Sequence, residues 1–172
     1  VSAFFSSDYR KMFATDIRTN YRKIDQDGRN NISLSLLPRI RLSDKLSFFM
    51  DFSYDILNND QGFVNRTLIP EVIQQDVGLS STDIMIGKRK LEIFENSIRG
   101  QFIFTNRQSL SLRIRHYNAT VIYNSLGILD QDGSISDLYF DGLNEEENPI
   151  FDRNFNAFTV DMNYLWRFAP GS

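Results

Sequence analysis

Ile32-Ser-Leu-Ser-Leu-Leu-Pro-Arg-Ile-Arg-Leu-Ser-Asp-Lys-Leu-Ser-Phe-Phe-Met-Asp-Phe-Ser-Tyr-Asp-Ile56 reads as a hairpin written in alternating residues. Ile32, Leu34, Leu36, Pro38, Ile40 and Leu42 fall on one side, with Ser33, Ser35, Leu37, Arg39 and Arg41 between them. Ser43-Asp44-Lys45 turns the chain, and Leu46, Phe48, Met50, Phe52, Tyr54 and Ile56 resume the apolar series. The alternate positions Ser47, Phe49, Asp51, Ser53 and Asp55 are mostly polar. Side chains on a strand point to opposite faces in turn, so this pattern predicts two antiparallel strands with one apolar and one charged face. Each strand reaches the ~9–11 residues a tilted strand needs to cross a bilayer, about twice the mean strand of a soluble protein. The fold expected is all-β: an antiparallel transmembrane β-barrel, an up-and-down meander of about eight or nine strands.

The rest of the chain extends that pattern. Phe13, Ile17 and Tyr21 alternate with Arg18, Asn20 and Arg22 in a strand expected from Tyr9 to Ile24, after a short strand Val1–Phe5 and a turn at Ser6-Ser7-Asp8. Ile98, Gly100, Phe102 and Phe104 alternate with Ser97, Arg99, Gln101 and Ile103. Leu110, Leu112 and Ile114 alternate with Ser111, Arg113 and Arg115 in a strand expected over Ser109–Tyr123. Phe158, Val160, Met162, Tyr164, Trp166 and Phe168 alternate with Thr159, Asp161, Asn163, Leu165 and Arg167 in a last strand from Asn156 to Phe168. Loops are expected at 25–31, at 58–62 and across 124–154. Between Phe63 and Glu95 the pattern weakens. Val64–Ile73 reads as a strand interrupted by Pro70, 74–82 as a loop, and Asp83–Arg89 as a short strand or the start of the next one.

Connections alternate between short turns (6–8, 43–45, 106–108, 169–172) and longer loops, the arrangement of short periplasmic turns and long extracellular loops. Aromatics near strand ends (Tyr21, Phe48, Phe104, Tyr123, Trp166, Phe168) fit interfacial girdles. The chain opens in mid-strand and stops at Ala169-Pro170-Gly171-Ser172. This predicts a C-terminal part of a barrel, residues 1–172, whose strands near Phe4 and Val160 pair with chain outside it rather than with each other.

Composition narrows the function. In 172 residues the net charge is −3, and the pI near 5.2 points away from a nucleic-acid partner. There is no cysteine for a disulfide or a thiolate site. Mean hydropathy of −0.33 is what alternating lipid-facing and water-facing residues average to. The apolar runs are too short for a membrane-spanning helix.

The expected lipid-facing set is Leu34, Leu36, Phe48, Met50, Phe52, Phe102, Phe104, Leu112, Ile114, Val160, Met162, Tyr164 and Trp166. The expected lumen-facing charges are Arg39, Arg41, Asp51, Asp55, Arg99, Arg113, Arg115, Asp161 and Arg167. Charge on the lipid side would cost roughly 2–4 kcal/mol at the midplane, which assigns these groups to the interior. The favoured reading of that set is a salt-bridged ladder between strands. The functional reading is an anion-attracting lumen or a dock for a plug. Asp25-Gln-Asp-Gly and Asp130-Gln-Asp-Gly open like calcium loops but lack the further oxygen ligands and the closing Glu, and an Asp-Gly pair is ordinary turn chemistry. His116, the single histidine, shares the Ile114 face and has no nucleophile or acid in triad spacing. Glu145-Glu146-Glu147 reads as a solvated loop. No metal site, cofactor or enzyme activity is expected.

Leu110-Ser-Leu-Arg-Ile-Arg-His-Tyr117 and Asn163-Tyr-Leu-Trp-Arg-Phe-Ala-Pro-Gly-Ser172 resemble the C-terminal barrel of a large family of Bacteroidota outer-membrane proteins known as a domain of unknown function. Trp166-Arg-Phe-Ala-Pro-Gly-Ser172 is the most specific piece, and Asp44-Lys-Leu-Ser47 and Gly87-Lys-Arg89 fit as well. Many members carry an N-terminal module similar to carbohydrate-binding family 9. The resemblance implies the outer membrane of a Gram-negative cell and a barrel, and it carries no activity over to any residue. The first reading of function is a membrane anchor, pore or assembly component, with any link to glycan binding supplied by a module outside this stretch and by the long loops. The partners expected are outer-membrane lipid and lipopolysaccharide, with other outer-membrane proteins or surface glycans. Two other classes compete: a soluble β-sandwich carbohydrate-binding module, for which the strands are too long, and an outer-membrane barrel hydrolase, for which no nucleophile and base stand in register.

Overall fold

The structure, a computed structural model, describes residues 1–24, 28–140, 142–144 and 146–168. Its strands are β1 (Ser2–Ser6), β2 (Phe13–Lys23), β3 (Asn30–Arg41), β4 (Leu46–Phe63), β5 (Met85–Thr105), β6 (Gln108–Leu129), β7 (Ile135–Leu138) and β8 (Arg153–Trp166). They form one antiparallel sheet in chain order from β1 to β6. β7 and β8 share the remaining edge of β6, β7 against Leu126–Leu129 and β8 against Gln108–Val121. The sheet is not closed: among the described residues β1 pairs only with β2, and β8 only with β6.

An antiparallel meander places successive connections at alternate ends. The connections at 7–12, 42–45 and 106–107 therefore lie at one end of the sheet, and those at 24–29, 64–84 and 130–152 at the other. The expected turn at 169–172 and the residues Asp25 to Asp27 lie outside the described residues.

Several boundaries differ from the sequence reading. Tyr9 to Met12 belong to a turn, so the strand starts at Phe13. Asn58 to Gly62 are strand, not loop: β4 runs through them to Phe63, with a register shift between Leu57 and Asp60. The shift places Asn59 at φ 51, a left-handed conformation that asparagine tolerates better than most residues. Val64–Ile73 is not a strand. Arg66–Leu68 forms a single 3-10 turn, started by the Asn65 side chain accepting from the Thr67 amide, and Glu71–Asp76 forms a short helix α1 behind Pro70. Pro70 sits where a helix start tolerates the missing N–H. Asp83–Arg89 leads straight into β5, and the stretch 124–154 begins as β6 and contains β7. β5 and β6 are thus 21 and 22 residues long.

The only apolar core among the described residues lies at the long-connection end. Val64, Ile69, Met85, Leu126, Leu138 and Phe151 are buried together, with Ile73, Val77, Leu79, Tyr123, Ile128, Phe140 and Ile150 packed around them. This cap draws on the 3-10 turn, α1, β7 and the projecting ends of β5 and β6. At its base a Cβ on Gly87 would overlap the Tyr123 ring, so that position needs glycine for close approach, while the Arg89 guanidinium lies over Gly62.

Candidate functional site

Directly opposed residues of an antiparallel pair share a face, so the register defines the two surfaces. One row reads Phe13, Ile40, Phe48, Gly100, Leu112, Met162. The adjacent row on the other side reads Ala14, Arg39, Phe49, Arg99, Arg113, Asp161. The two sets separated by alternation in the sequence therefore occupy opposite faces of one sheet. The apolar face is uncovered: Leu112 is 40% exposed and Met162 73%.

The apolar series has slanted borders. On β2 it runs from Phe13 to Tyr21, which stand level in register with Met162 and Asn154 on β8. On β8, however, the series runs from Trp166 back to Phe158. Both borders have moved the same way, by roughly 14 Å along the strands at ~3.4 Å per residue. Five strand steps of ~4.8 Å separate β2 from β8, so the borders lie at roughly 30° to the strand-perpendicular. Beyond the upper border the same face turns polar. His116 pairs with Asn156 at 3.2 Å, Asn118 donates to Asn154 at 3.2 Å, and Lys90 pairs with Glu92 at 2.5 Å. Near the lower border Phe104 sets its ring edge-to-face against Phe102 and Tyr164, and Trp166 against Phe168.

The charged face does not carry the salt-bridged ladder that its composition predicts. Arg99 stands directly opposite Arg113, a like-charge pair. Arg113 in turn stands opposite Asp161, yet Asp161 binds Arg115 instead, at 3.1 Å. That is the only ion pair among the expected lumen charges of the described residues. The Nε atoms of Arg113 and Arg115 are buried without a hydrogen-bond partner. Arg39 lies between rings, 5.0 Å from the centre of Phe49 and 6.0 Å from that of Tyr9. The reason is register: along a strand, same-face neighbours are ~7 Å apart, and Asp51 is level with Ser97 rather than with an arginine.

Arg39, Asp51, Arg99 and Arg113 line one hollow of about 330 Å³ together with Tyr9, Asp16, Phe49 and Ser97. Asp16 also accepts a 2.7 Å hydrogen bond from Ser6. Its carboxylate raises the Tyr9 phenol above the ordinary tyrosine value by hydrogen bonding to it. Arg41 sits in the row of Ser47, Gln101 and Ser111, and Asp55 in that of Ser33 and Ile93, both outside the hollow. Arg167 lies just past β8, where its amide donates to the Arg107 carbonyl at 2.9 Å. Asp16 was readable from the alternation of β2, since it shares a side with Arg18. Tyr9 had no such signal.

A second cluster had no local signal at all. Asp60, 6% exposed, takes Arg29 on one oxygen and Arg89 on the other, at 2.5 and 3.0 Å. Arg89 also reaches the Tyr123 hydroxyl at 3.4 Å. Tyr123 therefore belongs to the cap, where it meets Phe151, and not to an aromatic girdle. In the second Asp-Gly turn, Asp132 accepts from the amide and hydroxyl of Ser134, and Asp130 from the hydroxyls of Ser134 and Ser136. Its carboxylates are thus engaged in holding the turn. The first such turn falls largely outside the described residues. Glu146 and Glu147 sit in a tight loop built on Asn144, whose side chain accepts from the Glu146 and Asn148 amides.

A family model described as a domain of unknown function, DUF5916, matches residues 1–172. No curated protein matches the chain, and no solved structure does.

Proposed function

The chain belongs to the DUF5916 family, and from that premise we propose that it is part of an outer-membrane β-barrel. Its apolar face meets lipid and its arginine face meets the water-filled interior. In that setting the segment is a membrane anchor and a section of pore wall, and the cap stands on the extracellular rim. The observation that carries this reading is the slant of the apolar series. A soluble sheet covered by a second layer has no reason to start and stop its apolar residues along two parallel oblique lines. A bilayer does, because strands in a barrel tilt by about 35–45° and the lipid boundary cuts across them at a fixed height. At a tilt of about 30–35° the series on β2 and β8 spans roughly 22–24 Å of height, close to the ~25 Å apolar band of such barrels.

The test uses single thiols, since this stretch has no cysteine of its own. In the full-length protein in outer-membrane vesicles, Arg113→Cys should react with a water-soluble maleimide and Leu112→Cys only with a membrane-partitioning one. Reversed labelling at these adjacent positions rules the reading out. On intact cells Glu146→Cys should label and Asp44→Cys should not; the opposite pattern reverses the orientation.

A further inference from the structure

We propose that the hollow on the charged face is a binding site for a hydroxylated carboxylate of the acidic-sugar type. It rests on the reading above only in requiring that this face be open to water. The hollow's volume of about 330 Å³ lies in the range of small-molecule sites. Its two kinds of lining group make different demands. Arg99 and Arg113 are directly opposed, and Arg39 lies in the same row across the Phe49 ring. β3 and β6 are three strand spacings apart, so the three cations lie along about 14 Å of one hollow. Opposed like charges destabilise a strand pair, and no carboxylate among the described residues pairs with these three. The buried Nε of Arg113 lacks an acceptor. A planar carboxylate, which a guanidinium fork can grip through two N–H groups, supplies the missing charge and the missing acceptor.

A bare oxyanion answers only half of the site. Asp51 and Asp16 line the same hollow. Both are acceptors, and both would repel a phosphate or sulfate. Ser97, level with Asp51, adds a hydroxyl. A ligand that presents a carboxylate to the arginines and hydroxyl donors to Asp51 and Asp16 satisfies both halves. Arg39, held against Phe49 at 5.0 Å and Tyr9 at 6.0 Å, is already positioned, so little rotamer freedom is lost on binding.

The experiment is arginine modification in the full-length protein in detergent. Phenylglyoxal is applied with D-glucuronate, D-glucose or inorganic phosphate, and adducts on Arg99 and Arg113 are followed by peptide mass spectrometry. Glucuronate at ten times its Kd should slow modification about tenfold. Glucose should leave the rate unchanged, and phosphate at the same concentration should protect clearly less. In Asp51→Asn, a nearly isosteric change, the advantage of glucuronate over phosphate should disappear. Absence of protection by glucuronate overturns the proposal, as does equal protection by phosphate in the unaltered protein. Arginines that react readily but are not protected refute this site alone. Arginines that do not react even without ligand refute the water-facing assignment and the site together.

Discussion

The cap and the sheet treat apolar residues in opposite ways. In the cap, Ile69, Met85 and Val64 are at most 2% exposed and pack on one another as in a soluble domain. In the sheet, no residue of the outer apolar series is buried, and Met162, Phe158 and Trp166 are 60% exposed or more. One region brings its apolar phase with it; the other needs a phase from outside. The cap thus derives stability from burial within the chain, worth about 25 cal/mol per Å². The sheet rests on its ladder of backbone hydrogen bonds and, in the proposed setting, on lipid. The comparison implies that mutations of the two regions fail in different assays.

The largest effect is expected in the cap. Phe151→Ala removes a side chain that is 4% exposed and contacts the rings of Tyr123 and Phe140. Truncation of a buried Phe costs about 3–5 kcal/mol, so the cap should become sensitive to protease. The sheet should stay folded, read as an unchanged shift between heated and unheated samples on a gel. Simultaneous loss of the folded sheet would erase the distinction between the regions.

Next comes Leu112→Arg, in the middle of the apolar series on β6. At the bilayer midplane the cost is about 2–4 kcal/mol, and the folded fraction in membranes should fall. Its neighbour Ser111→Arg, on the charged face, should fold normally. If both behave alike, the apolar face does not meet lipid, because in water a charge at a 40% exposed position is nearly neutral.

A smaller effect is expected at the junction. Asp60→Ala leaves Arg29 and Arg89 without their shared acceptor. Both cations keep partial access to water, so the loss should be about 1–3 kcal/mol rather than the full cost of a stranded buried charge. Hydrogen exchange should quicken around Arg29 and at Lys88 to Lys90, and remain slow at Leu110 to Ile114. Faster exchange throughout β6 would mean that cap and sheet unfold as one unit.

The long strands of the sheet and their two faces were legible in the sequence, although β7 fell within an expected loop. Alternation at period two is a local property, and Leu112 with Arg113, or Met162 with Asp161, must point apart in any extended strand. Turn residues such as Ser43-Asp44 and Asn106-Arg107 likewise marked two tight connections, whereas the loop expected at 58–62 is strand and the long connection there is 64–84. Contacts between distant segments depend on the fold itself. Asn58 to Gly62 look like a loop because asparagine and glycine favour turns. They continue as strand because Asp60 to Phe63 find Ile86 to Arg89 across the sheet and Arg29 and Arg89 gather on Asp60. The Val64–Ile73 stretch is apolar enough for a strand, but Pro70 and the burial of Ile69 against Met85 and Leu126 made it turn and helix. The arginines could be assigned to a face from sequence, yet not to partners. Pairing depends on register between strands, and it set Arg99 opposite Arg113 and gave Asp161 to Arg115, which left a cationic hollow where composition predicted a ladder.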